Sequence, residues 1–234
     1  MKNSQMHSKI PDVAVLFDMD GVLVLTEQAH WQSWLEAARP RNVELSYQAF
    51  KSCFGRINPD CIPILFGPWS PEDSLAIAEE KEDAFRRIVR AKVPLVPGIV
   101  DLLTALSDLG ARLGVGSSGP PENVKTLIDG GGLARFFAAT VDGAQVTRGK
   151  PAPDVFLIGA QRLGVSPAAC AVIEDAPVGI RAAVAAGMLA IGVATTHPER
   201  ELRDAGAAYV YANPSAIDPR GLVAMLRDRA ATFA

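Results

Sequence analysis

Six short runs of apolar residues decide what this chain can fold into. They lie at 13–17, 113–116, 139–141, 171–173 and 189–193, with a weaker one at 209–211. A run that is apolar at nearly every position suits a strand buried on both faces, as in a parallel sheet. Helical patterns fill the gaps. Pro97-Gly98 leads into Ile99, Leu102, Leu103, Leu106 and Leu109 and stops at Gly110; 154–163 stops at Gly164, and 177–186 at Gly187. Proline near a start and glycine just past an end is the usual helix asymmetry. Strands alternating with helices of this length predict right-handed βαβ units: an α/β fold with a Rossmann-like parallel sheet.

Residues 22–93 break the rhythm. They hold no convincing strand and several helical patterns, the clearest opening at Ser70-Pro71-Glu72-Asp73 like a capping box. We therefore expect a core made of 1–21 and 94–234, with a helical domain of 22–93 inserted after the first strand. The stretch 90–97, with two prolines, reads as the return linker.

Composition removes several functional classes. A chain of 234 residues that is 49% hydrophobic and 21% charged can bury a core and is not of the disordered type. Its net charge of −3 argues against nucleic acid as a partner. No apolar run approaches the ~18 residues that span a membrane, so no membrane partner is expected. Residues 1–10 are polar, lack the apolar core of a secretory signal, and read as a tail. Cys53, Cys61 and Cys170 form neither a disulfide framework nor a zinc pattern, which suits a cytoplasmic protein.

In open α/β sheets the site lies beyond the carboxyl ends of the strands. The first run is followed by Asp18-Met19-Asp20-Gly21. Asp18 suits a nucleophile and Asp20 a general acid and base; an Asp-rich turn is the plainer alternative. The second is followed by Ser117-Ser118-Gly119-Pro120-Pro121, which suits anion binding at a helix start or an ordinary cap. After the third comes Lys150, between glycine and proline, a point charge for phosphate or a solvated loop lysine. The fourth ends in Glu174-Asp175, adjacent acids that ask for a cation, unless Asp175 caps the helix at Pro177. Four such segments in order, each at a strand end, make the functional reading the stronger one.

Asp18-Met19-Asp20-Gly21, Ser117, Lys150-Pro151-Ala152-Pro153-Asp154 and Glu174-Asp175 together resemble the haloacid dehalogenase superfamily of phosphotransferases, from about residue 13 to 193. Within it the chain is most similar to the β-phosphoglucomutase-like mutases and sugar-phosphate phosphatases. The resemblance implies a small α-helical cap at the insert and an aspartyl-phosphate formed on Asp18. It implies Asp20 as general acid and base, and Ser117 and Lys150 on the phosphoryl oxygens. It also implies Mg²⁺ held by Asp18, the Asp20 backbone carbonyl and Asp175, with Glu174 in or beside the shell.

Two positions depart from the family pattern. Leu25 stands where a second aspartate usually precedes the hydroxyl of Thr26, and Ala176 where serine is common. For substrate contacts the resemblance points to Thr26, His30, Arg56, Lys81 and Ser118; it has His30 help couple cap closure to Asp20, and Arg56 meet a distal phosphate or a sugar. A partly buried helix histidine remains an equal alternative for His30, and a solvated lysine a slightly better one for Lys81. Trp31 and Trp34 are expected at the seam between cap and core, and 58–69, with three prolines, as a reshaped cap loop. The expected function is a Mg²⁺-dependent phosphatase of small phosphorylated metabolites, sugar phosphates above all. A β-phosphoglucomutase-type mutase and a non-catalytic binding module are the alternatives. A monomer is expected, with a dimer left open.

Overall fold

The computed structural model describes residues 12–232; the reading of 1–10 as a tail lies outside them. Strand β1 (Ala14–Phe17) is followed by four helices, α1 (Glu27–Ala38), α2 (Tyr47–Cys53), α3 (Asn58–Phe66) and α4 (Pro71–Arg90). The chain then alternates: α5 (Ile99–Asp108), β2 (Arg112–Gly116), α6 (Pro121–Gly130), β3 (Ala139–Val141), α7 (Asp154–Leu163), β4 (Cys170–Glu174), α8 (Pro177–Ala185), β5 (Leu189–Val193), α9 (Glu199–Asp204), β6 (Tyr209–Tyr211) and α10 (Pro219–Thr232). The strands form one parallel sheet in the order β3-β2-β1-β4-β5-β6. The order reverses at β1, so the crevice beyond β1 and β4 is the switch point where α/β sheets place ligands.

The strands alternate their side chains between two apolar layers. Val15 and Phe17 point to the layer under α5, α6 and α10; Ala14 and Leu16 point to that under α7, α8 and α9. Burial on both faces is why the strand segments read as continuous apolar runs.

The four helices after β1 hold a third apolar cluster of their own, built on Trp34, Phe50, Phe54, Ile62, Leu65, Phe66 and Ile77. Ser70 caps α4, accepting from the Asp73 amide at 3.0 Å. The seam differs from expectation. Trp31 packs on Tyr47 and Phe50, and Trp34 on Phe66, all within the insert. Ala29, Phe85 and Val89 make the apolar contact with the sheet-side layer instead. Most of 58–69 is helix rather than loop. Pro59 sits in the first turn of α3, where no amide is needed, and burial of Cys61, Ile62, Leu65 and Phe66 outweighs the interior Pro63. The return linker is not free chain: the Leu25 amide donates to Pro94 O at 2.7 Å and the Val96 amide to Leu23 O at 3.0 Å. Among the described residues no helix is long and apolar enough to cross a membrane.

Helix α7 approaches β1 through Gly159, where an added Cβ would stand 2.7 Å from Leu16 Cδ2. Gly159→Leu gains about 1 kcal/mol of helix propensity, but overpacking of this kind costs about 1–3 kcal/mol. The urea midpoint of the variant is expected to fall; a rise would mean that α7 does not pack on β1 this closely.

Candidate active site

β1 ends where the Asp18 amide donates to Ile173 O at 3.0 Å, extending the pairing with β4 by one residue. The next turn needs its glycine twice. Gly21 has φ +81°, a region costly to other residues, and a Cβ there would lie 2.0 Å from Asp175 Oδ2. Asp18, Glu174 and Asp175 are all buried, and each offers an oxygen within 4.8 Å of the others.

Lys150 joins two of them. Its Nζ donates to Asp18 Oδ1 at 2.5 Å and to Glu174 Oε1 at 2.6 Å. Burial works against its ammonium, but the two carboxylates outweigh that and raise its pKa. Glu174 is fully engaged, since its Oε2 accepts from the amides of Asp175 and Ala176 at 2.9 and 3.0 Å. The space for it depends on Gly179, whose Cβ would overlap Glu174 Oε1 at 1.6 Å. Asp175 Oδ2 accepts from the Thr196 hydroxyl. The Thr195 hydroxyl donates to Gly21 O at 2.6 Å. Thr195 and Thr196 follow β5 and had no signal in the sequence beyond their place after a strand.

Burial pushes the Asp18 carboxyl up to about 7, with Glu174 and Asp20 adding to it and Lys150 opposing. Burial likewise drives Asp175 well above the usual range, helped by Glu174 and Asp18. Ionised together, three carboxylates against one ammonium would carry two negative charges with nothing to offset them, and the raised values of Asp18 and Asp175 register that repulsion. Asp18 Oδ2, Asp175 Oδ1 and the Asp20 carbonyl accept no hydrogen bond among the described residues. An all-oxygen donor set with this charge fits a hard divalent cation. Glu174, with both oxygens occupied, fits beside such a cation rather than on it.

Asp20 belongs to a different network. Its Oδ1 accepts from the Thr26 hydroxyl and meets His30 Nε2 at 3.2 Å. Burial raises its pKa, but His30, Thr26 and, through space, Lys81 outweigh that and lower it. Thr26 is fully buried behind Asp20 and so is not on the cavity wall where a substrate contact was expected. His30 stacks on Phe85, with ring centroids 4.0 Å apart. Lys81 is buried, not solvated, and reaches His30 Nδ1 at 3.0 Å and Glu82 Oε1 at 2.7 Å. Asp18, Asp20, His30, Arg56, Lys81, Glu82 and Ser118 all line one cavity between the insert and the strand ends. Arg56 is exposed there and forms no ion pair among the described residues. Ser117 is buried at the end of β2, its amide donating to Val141 O at 2.9 Å and its hydroxyl accepting from the Gly119 amide at 3.0 Å.

Residues 13–187 match the family model described as haloacid dehalogenase-like hydrolase. The chain is 36% identical over 184 residues to fructose-1-phosphate phosphatase YqaB of Escherichia coli (strain K12), covering 76% of this chain and 95% of that one. It is 31% identical over 193 residues to β-phosphoglucomutase of Bacillus subtilis (strain 168), covering 79% and 84%. In fold it is similar to the crystal structure of a β-phosphoglucomutase from Clostridium difficile, with TM-score 0.84, 23% identity and 94% and 99% coverage.

A pH dependence follows from the buried acids. The folded state holds the Asp18 proton more tightly than the unfolded chain, whose ordinary value is 3.8. This group's contribution to stability is therefore favourable at low pH and lost as pH rises through about 7. His197, lowered by burial, acts in the opposite sense below 6.5, so the comparison with Asp18→Asn isolates the aspartate. In EDTA, urea unfolding free energy from pH 5 to 8 is expected to slope more steeply downward in the wild type than in the variant. Parallel profiles would contradict the burial argument.

Proposed function

From the premise that the chain belongs to the haloacid dehalogenase-like hydrolases, we propose that it is a Mg²⁺-dependent phosphatase of small sugar phosphates that works through Asp18. The observation that carries this reading is the buried Asp18–Lys150–Glu174 triad, with Asp20 on the same turn facing the same cavity. In this reading residues 22–93 act as a cap over the core.

Asp18 attacks phosphorus as the bond to the sugar oxygen breaks, leaving the phosphoryl group on its carboxylate. Asp20 gives a proton to the departing oxygen, then takes one from the water that attacks phosphorus and frees Asp18. The lowered pKa of Asp20 suits the second, base half; approach of an anionic phosphate raises it toward the acid form needed first. Lys150 and Ser117 hold phosphoryl oxygens in place. Asp18, the Asp20 carbonyl and Asp175 would hold Mg²⁺, which when bound would offset the repulsion between an anionic nucleophile and an anionic ester. Glu174 fixes Lys150 between itself and Asp18.

Two relatives frame the choice of acceptor, one a phosphatase and one a mutase. A mutase that moves phosphate between two carbons passes through a bisphosphate and needs positive charge at the far end of the pocket. Here Lys81 is neutralised by Glu82 at 2.7 Å, and Arg56 is the other lysine or arginine on the cavity wall. Arg56, without an ion pair among the described residues, suits either a sugar hydroxyl or a second phosphate at that end, so the parallel assay for both products decides the acceptor.

The test is phosphate release with Mg²⁺ across sugar and polyol phosphates, with β-glucose 1-phosphate plus a bisphosphate primer assayed in parallel for glucose 6-phosphate. Release is expected, abolished in Asp18→Asn and reduced by about 10²–10⁴ in Asp20→Asn. Glucose 6-phosphate without phosphate release would replace the phosphatase by a mutase. Neither product would return the chain to a binding role.

A further inference from the structure

Beyond the groups that perform this chemistry, α4 and α6 meet through a buried polar seam. Glu82 on α4 is 7% exposed and Asn123 on α6 is 3% exposed. Glu82 Oε2 accepts from Asn123 Nδ2 at 2.5 Å, and Glu82 Oε1 from Lys81 Nζ at 2.7 Å and Asn58 Nδ2 at 2.8 Å. Asn123 Oδ1 accepts from an Arg86 guanidinium nitrogen at 3.1 Å, which together with Glu82 fixes the orientation of the amide. Burial raises the Glu82 pKa, but Lys81, His30 and Asn58 outweigh it and hold the group as a carboxylate.

The seam continues to Asp20. An ammonium has donors only, so Lys81 at 3.0 Å requires a lone pair on His30 Nδ1. The ring proton of His30 is then on Nε2, where it donates to Asp20 Oδ1 at 3.2 Å. Lys81 lies over the rings of Trp34 and Phe85 at 5.1 and 5.5 Å, and Glu82 Oε1 is its oxygen acceptor at 2.7 Å, a place that an amide oxygen also fills. One hydrogen-bonded chain thus leaves a sheet-bound helix at Asn123, crosses the insert through Glu82, Lys81 and His30, and returns to the strand end at Asp20. It is complete only while α4 lies against α6.

We propose that Glu82 and Asn123 are positioning residues that tie the orientation of Asp20, and the tautomer of His30, to contact between the insert and α6. The proposal rests on the reading of Asp20 as general acid and base. It places the checkpoint for a competent acid at a contact on α6, a helix that carries none of the reacting groups.

Asn123→Asp is isosteric and sets a second carboxylate against Glu82, opening the contact. The double change Glu82→Gln with Asn123→Asp reverses donor and acceptor and restores it. With Mg²⁺ present, kcat/KM is compared for a sugar phosphate, whose leaving oxygen needs a proton, and for p-nitrophenyl phosphate, whose leaving group does not. Asn123→Asp is expected to lower the first by about tenfold or more, a part of the ~10²–10⁴ that a positioned acid supplies. The second should change little, and the double variant should recover most of the loss. The imidazole ¹⁵N shifts of His30 should report an Nε2-protonated ring in the wild type, a mixed one in Asn123→Asp, and the original in the double variant. Equal losses on both esters, no rescue, or an unchanged His30 spectrum would overturn the proposal. If the wild type hydrolyses neither ester, the phosphatase reading fails, and the His30 spectra decide the positioning role without it.

Discussion

Lys150 is the interaction on which the strand-end cluster depends. Asp18, Glu174 and Asp175 come from two adjacent strands and converge in a space with almost no solvent. Without a cation between them, such a convergence would protonate the acids or push them apart. The ammonium at 2.5 and 2.6 Å ties β1 to β4 across the switch point of the sheet. Removing one partner of a buried pair of this kind costs about 3–5 kcal/mol, because the other is left uncompensated. The surroundings are shaped for the same purpose: Gly21 gives room to Asp175 and Gly179 to Glu174.

A second, separate balance governs the insert. There Lys81 and Glu82 cancel each other in a buried setting, and their surplus hydrogen-bonding capacity goes to His30, Asn58 and Asn123. The two networks meet at the turn 18–20, where Asp18 faces Lys150 and Asp20 faces His30. Adjacent aspartates consequently have opposite pKa shifts, one raised by burial among acids and one lowered by donors. This order is the reverse of the one usual for a nucleophile and an acid, and a divalent cation beside Asp18 would lower its value toward the ionised form that a nucleophile needs.

Much of this was legible in the sequence because local rules and the fold agree. Strands buried on both faces announce themselves as apolar runs, and β3, β5 and β6 begin and end at the residues those runs marked. The strand-end position of Asp18, Ser117 and Glu174-Asp175 followed from topology alone, whereas Lys150 lies further on, in the loop that leads from β3 into α7. What was not legible depended on contacts between distant segments. Pro63 argues against helix locally, yet α3 forms because it fills the insert's core. Trp34 has the look of a seam residue; it packs on Phe66 in the insert's own cluster and also lines the cavity beside the strand ends. Glu82, Asn123 and Thr196 carry no motif; their importance arises only when α4, α6 and the turn after β5 are brought together.

The central claim is that the buried acids, once ionised, carry two more negative charges than Lys150 offsets, which a divalent cation balances. The most direct measurement is the thermal midpoint of the purified protein against Mg²⁺ concentration, for the wild type and Asp175→Asn. A ligand bound only by the folded state raises the midpoint with its concentration. The account predicts a rise that saturates in the wild type and is absent or much weaker in the variant. A wild-type midpoint indifferent to Mg²⁺, or an equal rise in both proteins, would contradict it.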